Sequence, residues 1–170
     1  MILANPKRVL AYTKGGSVGM FRIRIITPAV MSDAGHPHAG GEFALGADRL
    51  LFLADLRYWG VADYQLQWQS ALERLAYGAP ATALFTAYRG PAESSHVAWA
   101  LWREDDWVYV QEQMFLSTEL GPSFDPWSPD AHVGARVPAS AEGLPIAEWR
   151  TELVHLLATA FRINPPRYPF

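Results

Sequence analysis

A chain of 170 residues, half of them hydrophobic and 18% charged, has the length and balance of one folded domain and lies far from the composition of disordered chains. It holds no cysteine, which excludes a disulfide framework, a thiolate zinc site and a thiol nucleophile. The net charge of −3 is uneven: residues 1–41 carry five Lys and Arg against Asp33, whereas the remainder carries nine Arg against sixteen Asp and Glu, an acidic body that repels nucleic acid and steers a basic partner toward itself.

Residues 1–19 mix Pro6, Gly15, Gly16 and Gly19 with basic residues and read as a flexible basic leader, with Met20 an alternative start. Residues 20–170 read as a single α+β domain. Phe21 to Ile26 alternates apolar residues with Arg22 and Arg24, the period of a strand with one buried face. Ser32 to Gly41 is punctuated by Gly and Pro and reads as loop. Glu42 to Gly46 and Leu50 to Trp59 read as extended or mixed segments that end at Gly60.

Val61 to Tyr77 is the best-defined element, because Tyr64, Trp68, Ala71, Leu72 and Leu75 recur on one helical stripe while Gln65, Gln69, Glu73 and Arg74 lie opposite. Gly60 stands at its N-cap, Asp63 favours its positive end, and Gly78 with Pro80 stops it. Thr82 to Tyr88, Val97 to Arg103 and Trp107 to Gln113 are short runs rich in β-formers. Glu104, Asp105 and Asp106 form the acidic turn that joins the last two into a meander. Gly121 to Gly143 reads as loop, with a short strand near Val133 to Val137. Thr151 to Phe161 reads as a C-terminal helix that the prolines of Asn164 to Phe170 cannot continue. The expected architecture is an antiparallel sheet with the long helix packed on a face and a second helix at the C-terminus.

Motifs of chemistry are scarce. His36 and His38 form one pair, short of the ligands that a zinc site needs, and the spacing of Glu104, Asp105 and Asp106 matches no calcium loop. Ser94, Ser95 and His96 adjoin in sequence, but neighbours on a strand point to opposite faces and make a poor catalytic pair. No cofactor is implied. No apolar run approaches the roughly 18 residues that span a bilayer, and the first twenty residues lack a secretory core, so the expectation is a cytoplasmic protein with no membrane partner. Among seven tryptophans, Trp68 and Trp99 are expected in the core. Trp102, on the other strand face, and Trp127, in the acidic stretch Phe124-Asp125-Pro126-Trp127, suit either a protein interface or a loop packed on the sheet.

One stretch is more specific. Ala54-Asp55-Leu56-Arg57-Tyr58-Trp59, Asp63-Tyr64, Gln67-Trp68, Ala71-Leu72 and Arg74-Leu75 resemble a family of immunity proteins, the CdiI-like proteins of contact-dependent growth inhibition systems of Gram-negative bacteria. Tyr109 to Gln113, Phe124-Asp125-Pro126 and Ile146 to Trp149 resemble later landmarks of that family, so the likeness runs from about Glu42 to Leu157. The family commonly has Ser or Thr where Gly60 stands, and the basic segment before Glu42 has no counterpart in it. The resemblance implies a monomer that binds the toxic C-terminal domain of its cognate toxin, a basic nuclease, in a 1:1 complex without touching nucleic acid itself. Acidic groups would then replace phosphates in the toxin's active site, and the contact residues expected are Glu104, Asp105, Asp106, Glu112, Asp125, Trp127 and Asp130. Two other readings compete: a small hydrolase using scattered Asp, Glu and His residues, and a subunit that self-associates through exposed Trp.

Overall fold

The computed structural model describes residues 20–163. The first sheet holds β1 (Phe21–Ile25), β2 (Val30–Met31), β3 (Pro37–Leu45) and β4 (Asp48–Asp55). β3 lies at its centre, with β1 and β2 paired along one side and β4 along the other, all antiparallel. Helix α1 (Val61–Ala76) leads into the second sheet, where β5 (Ala81–Ala87), β6 (Ser95–Glu104), β7 (Trp107–Leu116) and β8 (Trp149–Glu152) lie in sequence order. The short α2 (Ser117–Leu120) follows β7, and α3 (Leu153–Ile163) follows β8. The α+β expectation therefore holds, with two antiparallel sheets in place of one.

The sheets meet where the ring of Phe43 stacks on Trp99, with centroids 4.5 Å apart and planes within 6°. Phe21, Ile23, Leu84, Leu101, Val110 and the apolar stripe of α1 fill the remaining core. Trp149, on the edge strand β8, ties the sheets together again by donating its indole N–H to the Asp48 carboxylate at 3.0 Å.

Helix α1 is fastened to the free edge of β5 by its polar groups as well as by its stripe. Gln67, fully buried, donates from Nε2 to the Ala83 carbonyl at 2.8 Å and accepts the Phe85 N–H on Oε1 at 3.2 Å. Trp68 donates its indole N–H to the Phe85 carbonyl at 2.6 Å. The Tyr64 hydroxyl accepts the Tyr88 N–H at 3.0 Å and donates to the Asp55 carbonyl at 2.6 Å. A strand edge is a row of unpaired donors and acceptors that must be covered or paired, and here side chains of the Asp63-Tyr64, Gln67-Trp68 motif do it. At the start of α1 the Gly60 N–H donates to the Asp63 carboxylate at 2.8 Å. That half of a capping box does not depend on an N-cap side chain, so Gly60 is tolerated where Ser or Thr is common.

Three expectations need correction. The segment read as loop to Gly41 becomes strand from Pro37, because pairing with β4 across the whole of β3 overrides the glycines. Gly41 is required there, since a Cβ would collide with the Phe52 ring of the paired residue. Residues 133–137 form no strand; they belong to an irregular segment, 121–148, that crosses one face of the second sheet. Finally, the helix expected from Thr151 begins at Leu153, because Trp149–Glu152 pairs with β7 instead. The expectations for residues 1–19 and 164–170 lie outside the described residues.

The segment 121–148 is held by specific contacts. Phe124 packs on Phe85 and His96. Trp102 donates its indole N–H to the Gly134 carbonyl at 2.8 Å. Trp102 is therefore buried by loop packing, which settles the choice left open for it and removes one exposed Trp from the self-association reading.

Candidate functional site

The acidic end of the second sheet is built by the β6–β7 hairpin. Glu104 pairs with Trp107, so Asp105 and Asp106 alone form the turn. Asp105 has φ 55°, a left-handed conformation that Asp tolerates better than most residues. Both carboxylates are exposed. Next to them β8 sets Glu152 opposite Trp107, and the Leu153 N–H donates to the Asp106 carbonyl at 2.9 Å, fixing the start of α3 against the turn. Between these elements lies a cleft of about 490 Å³ lined by Asp106, Trp107, Glu152, Leu153, Val154 and Leu157. Among the described residues Asp105, Asp106 and Glu152 form no salt bridge. The Arg150 guanidinium lies 4.1 Å above the Trp107 ring, which shows that ring accepting a cation on its face.

Behind this end, Arg136 acts as a clasp. Its guanidinium lies 3.5 Å above the Tyr109 ring and donates to both Glu148 oxygens at 2.8 Å and to Glu104 at 2.9 Å. The hydrogen bonds it donates to Glu148 and then to Glu104 push the Arg136 pKa upward, so the charge is permanent. Gln111 completes the network by donating to Glu148 at 2.8 Å and to the Val137 carbonyl at 3.0 Å.

The seven residues expected at the contact surface do not form one patch. Glu104, Asp105 and Asp106 stand together, although Glu104 is committed in part to Arg136. Glu112 lies exposed further along β7, opposite Trp99 in the register. Asp125 and Trp127 belong to the far end of the sheet. There the Trp127 N–H donates to Asp125 at 3.0 Å, and the Trp127 ring packs on Trp59 at 4.9 Å, beside Tyr88 and His96. Eight strand steps separate His96 from Glu104, about 26 Å at roughly 3.3 Å per residue. Asp130 is spent on the fold: it accepts two bonds from Arg74, at 2.7 and 3.2 Å, and one from Thr82 at 2.6 Å. Glu152 was missed because its segment reads as helix, and only pairing with β7 brings it to the turn.

His38 lies on β3 and His36 in the preceding turn, and no group of three or more His, Asp or Glu is placed to hold a metal among the described residues. His96 is buried, and its neighbour is Ser117, not Ser94 or Ser95: Ser117 Oγ lies 3.3 Å from Nε2. The Arg89 N–H donates to His96 Nδ1 at 3.3 Å, which leaves the ring proton on Nε2, facing the serine. The Ser117 hydroxyl in turn donates to the Glu93 carbonyl. A general base would need a lone pair where this histidine carries its proton, so the pair is arranged as packing and not for nucleophilic attack.

The family described as CdiI N-terminal domain matches residues 54–159. The immunity protein CdiI of Enterobacter cloacae subsp. cloacae is 28% identical over 110 residues, which cover 64% of this chain and 75% of that protein. A chain in the solved CdiA-CT/CdiI toxin and immunity complex from Enterobacter cloacae shares the fold at a TM-score of 0.77 and 23% identity, covering 86% of this chain and 100% of that one.

Proposed function

Because the chain belongs to the CdiI N-terminal domain family, whose match runs from the end of β4 into α3, we propose that it is an immunity protein that binds and neutralises the C-terminal toxin domain of its cognate contact-dependent growth inhibition system. It works by occupation and not by turnover. The toxin is a basic nuclease, and the acidic end of the second sheet covers its active site in a 1:1 complex in the cytoplasm.

The observation that carries this reading is that, among the described residues, Asp106 and Glu152, which line an open cleft walled by Trp107, and the neighbouring Asp105 form no salt bridge. Carboxylates already committed to arginine have little left to offer a partner, whereas these three gain by meeting one. A nuclease cleft built to hold phosphates presents the complementary charge. The wider acidic body speeds encounter, since oppositely charged surfaces raise association rates at low salt. Asp125 and Trp127, about 26 Å away by strand count, would contact the toxin only if its surface spans the sheet. The roughly 800 Å² per partner of a standard interface permits that span.

The test is co-expression with the C-terminal domain of a large secreted protein encoded immediately upstream, scored by survival and by copurification at low and high salt. Survival with a salt-sensitive complex supports the reading. Death despite soluble expression of this chain, with no copurification, refutes the pairing.

A further inference from the structure

We propose that the outer face of the first sheet docks on an anionic phospholipid bilayer. Strand parity defines that face. Phe21, Ile23 and Phe43 point into the core, so Arg22, Arg24 and Glu42 point away from it, as do their cross-strand neighbours Arg49 and Leu51, and then Leu53. Glu42 meets the guanidinium groups of Arg22, Arg24 and Arg49 at 2.9, 3.3 and 3.2 Å. Three cations around one carboxylate leave a positive surplus. Asp55, on the same face, is answered by Arg57 and Arg89.

Among these charges stand bare aliphatic side chains. Leu51 and Leu53 are 61% and 63% exposed, and Val30 on the adjoining β2, which pairs with His38 on the same face, is 48% exposed. Exposed apolar groups clustered within a basic face mark a surface that something covers.

Charge decides among the occupants. A second copy laid face to face would set guanidinium against guanidinium. Residues 1–19 carry Lys7, Arg8 and Lys14 and no acid, so their charge does not complement this face. Nucleic acid is held by aromatic side chains on which bases stack, and the face offers aliphatic groups instead. A shaped protein interface is anchored by buried aromatics, which are also missing from this face among the described residues. Aliphatic side chains that enter the acyl boundary, rimmed by arginines that meet anionic headgroups, need no shaped partner. The acidic remainder of the molecule would be repelled by the same headgroups, leaving the Asp105 turn directed to solvent. A surface contact of this kind needs no spanning segment, so the proposal departs from the expectation of no membrane partner, which rested on the absence of a spanning run and a secretory core.

The experiment uses the full chain with vesicles of equimolar phosphatidylglycerol and phosphatidylethanolamine, and with phosphatidylcholine vesicles, read by co-sedimentation. Binding about tenfold or more stronger to the anionic vesicles is expected, and it should weaken with salt. L51S/L53S and R24Q/R49Q should each lower it by about fivefold or more with unchanged unfolding midpoints, Arg22 remaining to pair Glu42. Equal binding to both vesicles, no binding, or binding that both variants leave intact overturns the proposal. If the variants instead weaken a toxin complex while vesicles are ignored, the face is a protein interface and the proposal fails.

Discussion

Replacing Gln67 with Met keeps the length and volume of the side chain while removing both bonds to β5. The Ala83 carbonyl and the Phe85 N–H would then be buried without partners, since Gln67 and the strand around it are fully buried. Each orphaned group costs about 1–3 kcal/mol, so the pair predicts a loss of about 2–6 kcal/mol, a large share of the total stability of a domain this size. The assay is equilibrium urea unfolding of Q67M beside Gln65→Met, an exposed position on the same helix where a change of no more than about 0.5 kcal/mol is expected. A loss below about 1 kcal/mol for Q67M, or equal losses for the two variants, would refute the claim that this glutamine seals the strand edge.

Burial, and then the Arg89 charge, lower the His96 pKa, with Glu93 opposing. The unfolded chain then binds more protons than the native one, so stability should fall as pH drops below about 6.5, the ordinary histidine value. His96→Phe should flatten that dependence in unfolding midpoints measured between pH 7.5 and 5, and an unchanged slope would contradict the assignment. At the turn, Asp105→Gly should hold or raise stability, while Asp105→Val should cost about 1–2 kcal/mol at φ 55°; thermal unfolding separates them. Arg136→Ala should remove about 1–3 kcal/mol and open residues 134–148 to limited proteolysis, because the clasp to Glu148, Glu104 and Tyr109 is lost. A cleavage pattern identical to that of the unaltered protein would argue that the segment is held by other contacts.

Periodicity located α1 and the strand cores of β1, β5, β6 and β7 because each carries its own apolar stripe. It could not locate β8, since Trp149–Glu152 is a strand only by virtue of pairing with β7. Nor could it extend β3 through the glycines, because the reason for Gly41 is a ring on another strand. The same limit applies to the site. Glu104, Asp105 and Asp106 adjoin in sequence and were legible as a charged turn, whereas Glu152 reaches them through tertiary pairing alone. Asp130 looked like a free acid because its partners Arg74 and Thr82 lie on α1 and β5. Gln67 was visible in the motif that carries the family resemblance, yet its role needs the unpaired edge of β5, which no local pattern announces.

The most direct test of the central claim is the affinity of the cognate toxin domain for this chain and for the triple variant Asp105→Asn, Asp106→Asn and Glu152→Gln, measured at low and high salt. The account predicts at least about a tenfold loss at low salt, mainly in the association rate, that shrinks as salt rises. Unchanged affinity and unchanged salt dependence in a folded triple variant would show that the toxin is held elsewhere.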